Sequence, residues 1–125
     1  MSLLLVEDEP RVASFLMKGL RARGYSAKHV TTGQEAIDYV SQFDLSLVVL
    51  DLGLPDIDGL EVLEWMRRNG IDVPVIILTA RTDPQVRSRA LSLGANAYIG
   101  KPFSFSDLIA RVRMHLSDDG NGQFD

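Results

Sequence analysis

Four short apolar runs each deliver a different polar group at their carboxyl end. Leu3-Leu4-Leu5-Val6 leads into Glu7-Asp8, and Leu47-Val48-Val49-Leu50 into Asp51. Val75-Ile76-Ile77-Leu78 leads into Thr79, and Tyr98-Ile99-Gly100 into Lys101-Pro102. Gathered in one place, these are three carboxylates, a hydroxyl and an ammonium. Carboxylates at such density repel one another unless a cation neutralises them, and an all-oxygen donor set at a shallow site favours Mg²⁺ over Zn²⁺. The chemistry that fits is transfer of a phosphoryl group to a carboxylate. Asp51 would attack phosphorus to give an acyl phosphate. Mg²⁺ held by Asp8 and Asp51, with Glu7 acting through water, would neutralise charge on the transferring oxygens. Lys101 would meet another phosphoryl oxygen as a point charge, and Thr79 would donate a hydroxyl hydrogen bond to the product.

Taken singly, each residue has a plainer reading. Asp51 and Thr79 could cap helices, Glu7-Asp8 could sit at a helix N-terminus, and Lys101 could be a solvated surface lysine. What separates the set from random surface charge is its placement at the same end of successive apolar runs. Short runs rich in branched residues read as strands buried on both faces of a parallel sheet. In such sheets the site lies outside the carboxyl ends of the strands.

Helical patterns fill the intervals. Val12, Phe15, Leu16, Gly19 and Leu20 share one helical face, which Arg23-Gly24 ends. Tyr25 to Val30 reads as a more polar strand nearer an edge. Thr32 is placed to cap a helix carrying Ala36, Ile37 and Val40, and Gly53 to Gly59 reads as a loop. Leu60, Leu63 and Met66 mark the next helix, stopped by Asn69-Gly70. Asp83-Pro84 opens another, running to Leu93-Gly94. Ser104 with Asp107 resembles a capping box for a last helix with the stripe Leu108, Ile109, Val112 and Leu116. The alternation predicts an α/β fold, five parallel strands in (βα)5 order, doubly wound with right-handed crossovers. Residues 1–117 form one domain, and 118–125 read as a tail or the start of a linker.

The chain of 125 residues is 46% hydrophobic and 24% charged, an ordinary globular balance. A net charge of −4 argues against nucleic-acid binding by this segment. Without cysteine there is no disulfide framework or thiolate metal site. No apolar stretch approaches the ~20 residues of a membrane span, and a reducing cytoplasm fits. His29 and His115 lack metal-ligand spacing, and neither suits the role of a phosphohistidine. Trp65 and the helix-face methionines read as packing.

LLLVEDE, VVLDLGLPDIDGLEVL, VIILTA and GANAYIGKPF occur in that order and register. Through them the chain resembles the CheY-like (flavodoxin-like) receiver domains of two-component response regulators over roughly residues 3–116. The resemblance implies Asp51 as phosphoacceptor and a Mg²⁺ site of Glu7, Asp8, Asp51 and the Gly53 backbone carbonyl. It implies Lys101 as the phosphoryl-contacting lysine, Thr79 and Tyr98 as switch residues, and a cis peptide between Lys101 and Pro102. It implies a signalling switch, not a classical enzyme, phosphorylated by a sensor histidine kinase.

The segment ALSLGANAYIGKPFSFSDLIARVR is similar to the OmpR/PhoB transcription-factor subfamily. That similarity implies a C-terminal DNA-binding domain outside this chain and a homodimer on phosphorylation, through the fourth helix, fifth strand and fifth helix. Arg89, Asp107 and Arg111 stand at its ion-pair positions. Asn96-Ala97 replaces the usual acidic pair, so Arg111 lacks an expected partner and a weak dimer is anticipated. The terminal SDDGNGQFD resembles a linker cut short. Two alternatives remain. A haloacid-dehalogenase-type Mg²⁺ phosphatase would need an acid two residues after its nucleophile, where Gly53 stands. A binding-only pseudo-receiver would ordinarily lack the acidic set that is present.

Overall fold

The computed structural model describes residues 2–124, with side chains as far as Leu116. Strands β1 (Ser2–Val6), β2 (Ser26–Val30), β3 (Leu47–Leu50), β4 (Val75–Thr79) and β5 (Ala97–Gly100) alternate with helices. The helices are α1 (Pro10–Ala22), α2 (Gly33–Gln42), α3 (Gly59–Arg68), α4 (Pro84–Ser92) and α5 (Phe105–Phe124). All strand pairs are parallel, in the order β2-β1-β3-β4-β5. This is the (βα)5 doubly wound architecture that the alternation predicts, with the more polar β2 at an edge.

The continuous apolar runs are explained by burial on both faces. Successive strand residues point to opposite sides. Leu3, Leu5, Val49, Ile76, Leu78 and Ile99 join α1 and α5 in one core cluster. Leu4, Val6, Val48, Leu50, Val75 and Ile77 join α2, α3 and α4 in the other. The register keeps the carboxyl ends level: Val6 pairs with Leu50, Leu50 with Ile77, and Ile77 with Tyr98. Glu7 and Asp51 follow directly on that row. Thr79 and its partner Gly100 lie two steps beyond it, and Lys101 one further.

Local signals place the ends. Thr32 and Glu35 form a reciprocal capping box on α2, and Asp83 caps α4 with Pro84 behind it. The stops expected at Gly24, Gly70 and Gly94 take positive φ of 86°, 73° and 98°.

Three local expectations differ from the structure. Phe15 is 55% exposed. The face that α1 buries runs through Ala13, Leu16, Met17 and Leu20, which leaves Phe15 on the flank against Phe103 and Phe105, with centroids 6.4 and 5.6 Å away. The capping box on α5 is only half formed. Asp107 N–H reaches Ser104 Oγ at 3.4 Å, while that Oγ pairs with Ser106 Oγ at 2.7 Å. An Asp is a methylene short of the Glu or Gln that completes such a box. The α5 backbone also continues past Leu116 to Phe124, through most of the segment read as a tail.

Candidate functional site

Glu7, Asp51 and Thr79 are the buried polar residues among those described, 1%, 7% and 1% exposed. All three sit at carboxyl ends of the central strands β1, β3 and β4. The Lys101 ammonium, arriving from β5, donates to Glu7 Oε1 at 2.8 Å and to Asp51 Oδ2 at 3.1 Å. Glu9 Oε2 lies 3.7 Å from the same nitrogen. The second oxygen of each carboxylate is also engaged. Glu9 N–H donates to Glu7 Oε2 at 3.1 Å, and Gly53 N–H donates to Asp51 Oδ1 at 3.2 Å. The Lys101–Pro102 peptide is cis.

Electrostatics divide the two buried carboxylates. Burial pushes the Glu7 carboxyl above its ordinary value, and the neighbouring Asp51 charge adds to this against the Lys101 and Glu9 hydrogen bonds. Burial acts the same way on Asp51. There the Gly53 N–H, the Lys101 ammonium and the Thr79 hydroxyl outweigh it and hold the carboxyl below its ordinary value. For Lys101, burial alone would lower the pKa, but hydrogen bonds to Glu7 and Asp51 raise it and keep the ammonium charged. Asp51 is therefore an ionised carboxylate in a confined space, the state a nucleophile requires.

One oxygen from each of Glu7, Asp8 and Asp51 lies within 4.8 Å of the others. One ammonium cannot balance three carboxylates. A hard, oxygen-coordinated divalent cation fits that donor set and that charge. Gly53 is exposed, with no side chain to obstruct a carbonyl ligand.

Gly59 allows α3 to start against Asp51. A Cβ there would lie 2.6 Å from Leu52 Cα and crowd the Asp51 carbonyl. Asp58 caps α3 through Leu60 N–H at 2.9 Å. Asp58 also accepts from Arg81 Nη1 at 2.9 and 3.0 Å, joining the β3–α3 loop to the β4–α4 loop.

Arg81 also links the two expected switch residues. Its N–H reaches Thr79 Oγ1 at 3.3 Å, and its carbonyl accepts from the Tyr98 hydroxyl. Tyr98 lies inward, 8% exposed, with the Arg87 guanidinium 5.8 Å over the ring. Burial raises its pKa. The ring of this expected switch residue thus already occupies the inner position.

The expected interface charges are engaged within the chain. Arg89 is 3.7 Å from Glu64 of α3, and Arg111 is 3.8 Å from Asp107 one turn away. Several contributors escape sequence reading. Asn96, read as a lost acid, accepts from Val75 N–H at 2.9 Å and donates its own N–H to Val75 O at 2.8 Å, fastening β5 to β4. His29, read as bland, donates from Nε2 to the Glu7 carbonyl at 2.7 Å. No helix among the described residues is long and apolar enough to cross a membrane.

A family model for the response regulator receiver domain matches residues 3–113. The chain is 41% identical to the transcriptional regulatory protein HprR of Escherichia coli, over 93% of this chain and 52% of HprR. It is 43% identical to the transcriptional activator protein IrlR of Burkholderia pseudomallei, over 93% of this chain and 50% of IrlR. The chain therefore spans about half the length of the curated relatives it matches. Among solved structures it is similar to the response regulator TrrA of Thermotoga maritima in complex with Mg²⁺-BeF. The TM-score is 0.83 and the identity 34%, over 92% of this chain and 98% of that one.

Proposed function

This chain belongs to the response regulator receiver domain family, and we propose that Asp51 accepts a phosphoryl group from a phosphohistidine of a sensor histidine kinase. The observation that carries the proposal is the buried Asp51 carboxylate, held ionised by Gly53 N–H and the Lys101 ammonium and flanked by Glu7 and Asp8. An Asp51 oxygen bonds to phosphorus as the phosphorus–nitrogen bond breaks. The departing imidazole keeps that electron pair and takes a proton. Lys101 holds a phosphoryl oxygen, and the Thr79 hydroxyl donates to another. Asp8, Asp51 and the Gly53 carbonyl would hold Mg²⁺, with Glu7 beside them, and the ion would supply neutralising charge.

The output is a population shift, which requires phosphate contacts that differ between two states. Thr79 and Lys101 supply those contacts, and the Arg81 backbone passes the change to Tyr98. The surface with Arg89, Asp107 and Arg111 then favours a homodimer. The transcriptional relatives support a cytoplasmic role in gene regulation, with DNA bound through a domain outside this segment. The test is incubation with a small phosphodonor and Mg²⁺, read by intact mass. A single labile adduct is expected in the wild type and none in a folded Asp51→Asn variant. Labelling of that variant at the wild-type rate overturns the assignment.

A further inference from the structure

The α2 N-terminus is capped twice, once locally and once from far along the chain. Thr32 serves the Glu35 N–H, as an ordinary capping box does. The two preceding N–H groups, of Gly33 and Gln34, donate instead to Asp56, at 2.8 Å on Oδ1 and 2.9 Å on Oδ2. Asp56 lies on the loop between Asp51 and α3, which also carries Gly53. These hydrogen bonds hold the Asp56 carboxyl below its ordinary value, Gln34 N–H most of all. The loop fits closely where it crosses α2. A Cβ on Gly33 would lie 3.0 Å from Val62 Cγ2 and 3.1 Å from Ile57 Cβ.

Gly53 has no side chain to hold it, and its carbonyl is steadied by a tight local turn: Leu54 N–H, in the same planar peptide unit, donates to Leu52 O at 3.0 Å. The residue is exposed, and a Cβ there would meet nothing within 4 Å. Its N–H bonds to Asp51 Oδ1, and on the upstream side Leu52 is buried. On the downstream side the next polar anchor to another element is Asp56, three residues away. The Leu54–Leu52 turn sets the tilt of the Gly53 carbonyl, and buried Leu52 with the Asp56 clamp sets where that turn sits.

We infer that Asp56 is a positioning residue for the metal site: by clamping the acceptor loop to the α2 N-terminus it holds in place the turn that carries the Gly53 carbonyl, so that Mg²⁺ affinity depends on the Asp56 clamp and not on the local Thr32 cap. The inference rests on the Mg²⁺ reading of the site proposed above. Asp56 touches neither the cation nor phosphorus, and it acts through three residues of backbone.

The test compares Asp56→Ala, Asp56→Asn and Thr32→Ala by calorimetric titration with Mg²⁺ and by amide hydrogen exchange. Asp56→Ala is expected to weaken Mg²⁺ binding about tenfold, the lower end of the ~10–100-fold cost of losing a partner behind a metal ligand. It should also speed exchange at Gly33 and Gln34. Asp56→Asn retains one acceptor oxygen and should fall between. Thr32→Ala removes a cap from the same helix without touching the loop, and should leave Mg²⁺ affinity at the wild-type value. An equal loss in Thr32→Ala would reduce the effect to helix stability and overturn the inference. So would unchanged affinity in Asp56→Ala alongside normal wild-type binding. Absence of saturable binding in the wild type would overturn the metal reading itself, and this inference with it.

Discussion

Replacing Lys101 with Met keeps most of the stem and removes the ammonium. The side chains of Lys101, Glu7 and Asp51 are 12%, 1% and 9% exposed, so solvent screens their contacts little. Removing one partner of a buried ion pair costs about 3–5 kcal/mol. Here the cost belongs near the lower figure, because Glu9 N–H still serves Glu7 and Gly53 N–H still serves Asp51. About 3 kcal/mol is a large share of the ~5–15 kcal/mol that stabilises an ordinary domain. With a urea dependence of about 1–3 kcal/mol per molar, the midpoint should fall by roughly 1–3 M. Mg²⁺ should then stabilise Lys101→Met more than wild type, since the acidic cluster has lost its competing cation. At ~100 times the dissociation constant, mass action alone returns about 2.7 kcal/mol. The assay is urea unfolding of both proteins, with chelator and with Mg²⁺. A loss below about 1 kcal/mol in chelator would mean that water already solvates these carboxylates, contrary to the burial argument. Greater Mg²⁺ stabilisation of the wild type would mean that ammonium and cation do not compete for the same oxygens.

Arg81→Ala and Asp58→Asn form a double-mutant cycle, because Asn preserves the α3 cap while losing the charge. With both side chains more than a third exposed, their coupling should be only about 0.2–1 kcal/mol and should shrink with salt; a coupling above ~2 kcal/mol would reject the exposed-pair description. Hydrogen bonds from Thr31 and Thr32 hold the Glu35 carboxyl below its ordinary 4.5. Its contribution is therefore present above pH 4.5 and lost as pH falls through the lowered value. Glu35→Gln keeps the acceptor oxygen, so the wild type's lead in urea midpoint should be full near neutral pH and shrink as pH falls through the lowered value, and a constant lead would contradict the linkage. Sedimentation should find mainly monomer without a phosphoryl mimic and concentration-dependent dimer with one, weakly held because exposed ion pairs contribute about 0.2–1 kcal/mol each. An unchanged mass distribution would reject the dimer output and leave the Asp51 assignment standing.

The succession of strands and the polar ends of β1, β3, β4 and β5 could be read from the chain because each strand is a local apolar run with its polar residue attached, whereas the lateral order of the strands is set only by their docking. Caps such as Thr32 and Asp83 were legible for the same reason: donor and acceptor lie within one turn. Asp56, Arg81, Asn96 and His29 were not, because each bonds a partner 21 to 23 residues away in sequence. Nothing local to these residues announces the pairing; it exists once parallel strands bring their ends level. Phe15 was misplaced for a related reason. Periodicity gives a stripe about half a helix wide, and only docking on the sheet decides which edge of that stripe is buried.

The Lys101–Glu7 hydrogen bond joins residues 94 positions apart. Loop closure over that distance comes late, after the shorter connections between neighbouring strands. Synthesis runs the same way: the amino-terminal strands leave the ribosome first, with their acids, and β5 follows. A chain halted after β4 would present Glu7, Asp8 and Asp51 without the ammonium that balances them. It would be a repulsive, incomplete pocket, not a partly working switch. Truncation before β5 should therefore abolish phosphoryl acceptance outright, because the last strand to dock carries the charge that the first strands need.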